Sequence, residues 1–140
     1  ELDGSPLDFD EVMLRVEAYA AGADVAIVAG SGGLLAPIGW DWNLVDLAQA
    51  LEARALVVGM DRLGTISHAL LTLSALEIGG VPVIGVALTA PERPDGSTGT
   101  NAAAIGRLAG VPNVVVVPRG GSDDGESGTP DAIREIAGWL

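Results

Sequence analysis

Four short valine-rich runs constrain this chain more than any other feature: VAIVA at 25–29, ALVVGM at 55–60, VIGVAL at 83–88 and VVVV at 114–117. None alternates with polar residues, so neither face of such a strand is suited to water. Strands of that kind belong to parallel sheets, whose neighbours must be joined by a crossover. The intervening segments supply one. Leu44, Leu47, Ala48 and Leu51 form a helical stripe, with Asn43 placed to cap it. Ile66, Ala69, Leu70 and Leu73 form another, which Gly79-Gly80 ends. Asn101 stands as the cap of an alanine-rich helix reaching about Ala109. Thr129-Pro130 opens a last helix, continued by Ile133, Ile136, Ala137 and Leu140. A further helix over about 9–21 precedes the first run. The alternation predicts one α/β domain over residues 1–140, with a parallel sheet of about four strands, flanking helices and right-handed crossovers.

At 140 residues the chain can bury a single core. Hydrophobic residues make up 49% of it, yet no apolar run reaches the ~18 residues of a membrane span, and no secretory signal is present. The first residue is Glu rather than Met, so the sequence reads as trimmed, processed or excerpted. Without cysteine there is neither a disulfide framework nor a thiolate metal site, and the expected compartment is the cytoplasm. The formal charge of −12, from 19 acidic and 7 basic residues, argues against nucleic acid and against an anionic membrane surface. All seven basic residues are arginine. The lack of lysine excludes a P-loop lysine, a Schiff-base lysine and a lysine general base.

Ligands of parallel sheets sit at the carboxyl ends of the strands, which directs attention to residues 30–43, 61–65, 89–100 and 118–129. In AGSGGLLAPIG, Gly30, Gly32 and Gly33 suit a tight turn and a ligand loop equally. The loop is not a dinucleotide fingerprint, since Leu35 stands where a third glycine is needed, and it lacks the Lys-Ser/Thr of a P-loop. Trp40 and Trp42 either seal one end of the sheet or cap a pocket or partner site. Asp41 and Asp46 pair with nothing that would make a metal site. Asp123, Asp124 and Glu126, in GGSDDGESG, lack cation-loop spacing and read as a solvated loop. His68 has no ligand-spaced neighbour and is expected to be hydrogen-bonded within a helix–helix contact. In DRLGTISHALLTL, Thr65 can cap a helix whose first-turn amides form an anion site. Ser67 adds a hydroxyl that capping does not require.

Two of these stretches carry a family resemblance. VAGSGGLLAPIG resembles the V-E-G-A-G-G-L-L-V-P-L signature of dethiobiotin synthetases, and RLGTISHALLTLSAL resembles their L-G-T-I-N-H-x-L-L-T-x-x-A-L. PVIGVALTA and GVPNVVVVP are similar to the family's next and last strands, so the likeness runs from about Leu7 to Pro118. It implies a three-layer parallel sheet of the P-loop NTPase type. It also implies a homodimeric ligase that uses ATP and Mg²⁺ to join CO₂ to the two amines of diaminopelargonate in biotin synthesis. In the family the L-G-T-I-N-H turn reaches across the dimer and holds the substrate carboxylate. The matching positions are Gly64, Thr65 and Ser67, while Gly30, Gly32 and Gly33 would lie beside the amines.

The departures are equally specific. The family's P-loop and catalytic lysines are absent from this sequence. Its Mg²⁺-binding glutamate is Ala29, its turn asparagine is Ser67, and the asparagine that helps read adenine is Thr89. No catalytic residue is therefore assigned, and the chain alone is expected to use neither ATP nor Mg²⁺. Two readings stay open: half of a ligase completed by a separate P-loop-containing chain, or a non-catalytic relative serving binding or assembly. An amidoligase of cobalamin synthesis, with a similar nucleotide-binding domain, is a more distant third. A small carboxylate is the expected ligand. A homodimer is expected through helix 65–78, whose Leu71 and Leu76 flank its sheet-facing stripe. In the family the P-loop strand lies between the strands matching 25–29 and 55–60. Here those two are expected to pair directly or around another segment.

Overall fold

Three of the four valine-rich runs become strands: β1 (Ala55–Met60), β2 (Val83–Thr89) and β3 (Val114–Val117). The computed structural model describes residues 7–30, 32–119 and 131–140. The strands form one parallel sheet in the order β1-β2-β3. Leu56 lies opposite Gly85 and Met60 opposite Thr89 on one side, with Val86 opposite Val114 and Thr89 opposite Val117 on the other. Five helices accompany them: α1 (Phe9–Ala20), α2 (Leu44–Ala50), α3 (Thr65–Ile78), α4 (Asn101–Ala109) and α5 (Asp131–Ala137). None is long and apolar enough to cross a membrane.

The chain divides into two compact units, residues 1–53 with 79–81 and residues 54–78 with 82–140. The second holds the whole sheet. Successive residues of β2 point to opposite faces. Val86 and Leu88, both fully buried, pack with Ala69 and Leu73 of α3 and Ile105 of α4. Ala87 turns the other way, where it packs with Val115 and with Ala132 of α5. Burial on both faces is why the runs lack polar alternation. Gly85 belongs to the α5 face, where a Cβ would come within 2.6 Å of the Trp139 ring and 2.8 Å of the Asn113 carbonyl. The three layers expected from the sequence are these: α3 and α4, the sheet, and α5.

The first unit contains α1 and α2. Asp8 caps α1 by accepting from the Glu11 amide. Asn43 caps α2 as expected, and the box is reciprocal: the Asn43 Oδ1 accepts from the Val45 amide while the Asp46 carboxylate accepts from the Asn43 amide, both at 2.7 Å. Asp46 is thus a capping partner. Phe9 meets Trp42 edge-on at 5.1 Å, and the Trp42 carbonyl accepts from the amides of Ile38 and Gly39. Trp42 therefore packs on the start of α1, while Trp40 is exposed.

Four expectations need correction. The run 25–29 is not a strand, and Val25, Ile27 and Val28 are exposed, so the described residues hold three strands rather than about four. An extended segment persists as a strand only if a neighbour takes up its amides and carbonyls. Among the described residues β1 pairs with β2 alone, leaving its outer edge without a strand. Residues 25–29 thus offer no strand for the pairing expected with 55–60. Val58 and Met60, which project to one face of β1, are exposed. Finally, Leu76 is buried at 2% exposure rather than flanking a free face of α3, whereas Leu71 and Ile78 are exposed at 67% and 88%. Residues 120–130, which include Asp123, Asp124, Glu126 and Thr129-Pro130, lie outside the described residues.

Candidate carboxylate-binding turn

The turn that leaves β1 is built from Asp61 to Ser67. Gly64 has φ +91°, a conformation that side-chain-bearing residues adopt at a cost. It redirects the chain into α3. The Thr65 amide donates to the Arg62 carbonyl at 3.1 Å, and the His68 amide donates to the Gly64 carbonyl at 3.1 Å. The buried Thr65 hydroxyl donates to the Met60 carbonyl, pinning α3 to the end of β1. That leaves the amides of Ile66 and Ser67 without a partner among the described residues, beside the exposed Ser67 hydroxyl. Gly64, Thr65 and Ser67 are therefore brought together in one turn of the second unit. Thr65's hydroxyl is already committed to the backbone.

Two carboxylates tie this turn to the loop after β2, and neither stands out in the sequence. Asp61, 1% exposed, accepts from the Gly99 amide at 2.8 Å and from the Asn101 Nδ2 at 2.6 Å. The Asp61 carbonyl accepts from the Thr98 hydroxyl at 3.1 Å. Asp95 accepts from the Leu63 amide at 2.8 Å through Oδ2, and from the Ser97 amide and hydroxyl through Oδ1. Asn101 is accordingly not a cap: Thr100 occupies the N-cap position without a side-chain capping bond, and Asn101 is buried against Asp61.

The Ser97 hydroxyl, then the Leu63 and Ser97 amides, hold the Asp95 carboxyl well below the usual carboxylate range. A depressed folded pKa contributes stability that is present above the unfolded value, 3.8, and lost as pH falls through the folded one. Asp95→Asn should therefore be less stable than the parent at pH 6, with the difference shrinking as pH drops below about 4. Urea unfolding of both proteins at pH 6 and pH 3 checks this. A pH-independent gap would contradict it.

Beside the turn a cleft of about 180 Å³ opens along β1 and α3, lined by Val58, Met60, Arg62, Thr65, His68 and Thr72 among others. His68 is exposed on its wall and its imidazole makes no hydrogen bond among the described residues, contrary to the expected helix–helix contact. Gly30, Gly32 and Gly33 belong to the first unit. A side chain at Gly30 would strike Leu44, while Gly32 and Gly33 have φ of +88° and +101°. Packing and backbone geometry account for all three glycines. The donor set does not fit Mg²⁺-ATP. Ala29 offers a methyl group where a carboxylate would be needed, and the described residues hold no cluster of three His, Cys, Asp or Glu that could bind a metal. The sequence has no lysine for a phosphate.

A parallel sheet with helices packed on both of its faces is the architecture of an α/β protein, consistent with the P-loop NTPase-like fold of the family that the chain matches. Residues 1–125 match the AAA domain family AAA_26, and the chain belongs to that family. Within it the chain is dethiobiotin synthetase-like. The ATP-dependent dethiobiotin synthetase BioD of Bacillus subtilis (strain 168) is 32% identical over 120 residues, covering 85% of this chain and 52% of that protein. Its counterpart in Rhodopirellula baltica is 35% identical over 134 residues, covering 84% and 52%. That of Anaeromyxobacter dehalogenans (strain 2CP-C) is 38% identical over 118 residues, covering 83% and 52%. The chain thus spans about half the length of these curated relatives.

Proposed function

We propose that this chain supplies the diaminopelargonate-carboxylate site and the dimer surface of a dethiobiotin synthetase-like ligase of biotin synthesis. A P-loop-containing chain would complete it for ATP-dependent ureido-ring closure. The observation that carries the reading is the pair of unpartnered amides, Ile66 and Ser67, beside a free hydroxyl at the start of a 14-residue helix. In the reaction these groups would bind and orient the substrate through its carboxylate, while Gly30, Gly32 and Gly33 would border its amines. When bound to the completed enzyme, ATP with Mg²⁺ would supply the phosphoryl group. The edge of β1 that pairs with no strand among the described residues suits a strand from the completing chain. Ala29 favours a second reading, a non-catalytic relative that keeps the fold and dimer surface for binding or assembly, because division into two chains would not remove a metal ligand.

The helix terminus contributes roughly 0.3–2 kcal/mol toward an anion, and each hydrogen bond to a charged group about 1.5–3 kcal/mol. After the entropy of association this supports a Kd of about millimolar. Calorimetric titration with diaminopelargonate should show such binding. Ser67→Asp should abolish it while leaving the helical circular dichroism unchanged, since an acid is favourable in a first turn. Equal affinity in both proteins would refute the site. The dimer reading rests on the exposed apolar side chains Leu71 and Ile78 of α3. Light scattering at high micromolar concentration should report a dimer, and a monomer there would count against it.

A further inference from the structure

The Asp61 carboxylate is 1% exposed, yet it stands at the head of a turn proposed to receive an anion. Burying a carboxylate is unfavourable unless its oxygens are satisfied. Here each oxygen takes one donor, the Gly99 amide on Oδ2 and the Asn101 side chain on Oδ1. Stability alone does not call for a charge at such a place, because well-packed apolar residues often replace buried ionic groups without loss. A carboxylate does supply something an apolar residue cannot: two short, charge-assisted bonds in fixed directions. One runs to Gly99 in the loop after β2 and the other to Asn101, the first residue of α4.

That bridge sits just upstream of the anion-facing groups. Three residues beyond Asp61 comes Gly64 at φ +91°, the residue with the widest backbone freedom. Immediately after it come Thr65 and the unpartnered amides of Ile66 and Ser67. Asp95 holds the middle of the same segment through the Leu63 amide. Asn101 Nδ2 also lies 3.5 Å from the Arg62 carbonyl. We propose that Asp61 and Asn101 are positioning residues: their bridge fixes the direction in which the Ile66 and Ser67 amides point, and thereby sets the affinity of the turn for a carboxylate. This role rests on the turn being the carboxylate site proposed for it.

The experiment exchanges the two partners. Asn101→Asp places a second carboxylate against Asp61, and two like charges at that separation repel. The double variant Asp61→Asn/Asn101→Asp restores one amide facing one carboxylate, with an amide oxygen still available to Gly99. All three proteins are titrated with diaminopelargonate at pH 8, well below their unfolding temperatures, and their ligand-free amide spectra are compared. Asn101→Asp should weaken binding about tenfold or more, and the exchanged pair should return it to within about threefold of the parent. The Ile66 and Ser67 resonances should move in the single variant and return in the double one, a signature that loss of stability alone does not produce. Should Asn101→Asp fail to fold, Asn101→Ala leaves Asp61 with Gly99 alone and is read the same way.

Parent-like affinity in the single variant overturns the proposal. So does an exchanged pair that recovers stability but not affinity. Absence of binding by the parent is a different result: it removes the carboxylate reading itself, and the positioning role with it.

Discussion

Incubated with ATP, Mg²⁺, bicarbonate and diaminopelargonate, the 140-residue chain by itself is expected to form no dethiobiotin. Phosphoryl transfer depends on positive charge and metal placed around the transferring group. The chain has no lysine, its net charge is −12, and Ala29 cannot hold a cation. Arg62 lines the cleft beside β1, but a lone arginine does not replace a phosphate cradle together with its metal. Removing even one preorganised stabilising group typically lowers kcat by ~10²–10³, so the absence of several should put turnover below detection. Product detection by mass spectrometry over hours, with a complete relative as the positive control, checks this. ATP-dependent product from the isolated chain would contradict it.

The largest stability effect is expected at Leu88. It is fully buried on the central strand, where it packs with Ala69, Leu73, Val86 and Ile105. Leu88→Ala removes those contacts and leaves a cavity that rigid neighbours fill only in part, a loss of about 2–5 kcal/mol. Against a typical net stability of ~5–15 kcal/mol, that is enough to leave the domain marginal. Leu108, on the last turns of α4, is 63% exposed, and Leu108→Ala should change stability by no more than about 0.5 kcal/mol. Chemical unfolding of the two variants beside the parent gives the comparison. A Leu88→Ala loss below about 1 kcal/mol would mean that Leu88 and its neighbours are not the core of this domain.

Local signals in the sequence are dependable wherever local physics decides the outcome. ALVVGM and VVVV become β1 and β3 with the expected bounds, because apolar, valine-rich runs suit the pleated sheet and each finds a parallel partner in the buried β2. Asn43 caps α2 because its partners, Val45 and Asp46, lie within three residues. VAIVA shows the limit of the same logic. It has the composition of a strand, but a strand exists only with a neighbour, and the described residues offer it none. Asn101 shows another limit. Its side chain suits a cap, but it finds a charged acceptor 40 residues earlier, at Asp61, and the stronger hydrogen bond prevails.

The candidate site is legible in a similar way. The turn Gly64–Ser67 can be located from strand, glycine and helix signals alone. Its anchors cannot, since Asp61 and Asp95 are ordinary acids in the sequence, made structural only by the loop after β2 that meets them. Thr65 is expected to cap the helix; instead it is the first residue of α3, and its hydroxyl donates to the Met60 carbonyl. His68, the sole histidine, is expected in a helix contact and instead is exposed and lines an open cleft.

Residue-resolved titration is the most direct measurement of what this chain does. Diaminopelargonate is added to isotopically labelled protein and each amide resonance is followed. The Ile66 and Ser67 amides should shift furthest, with a common dissociation constant of about millimolar, while Ser67→Asp shows no shift at either position. If no amide between Leu63 and His68 moves, the turn serves only to start a helix, and the carboxylate-binding function is wrong.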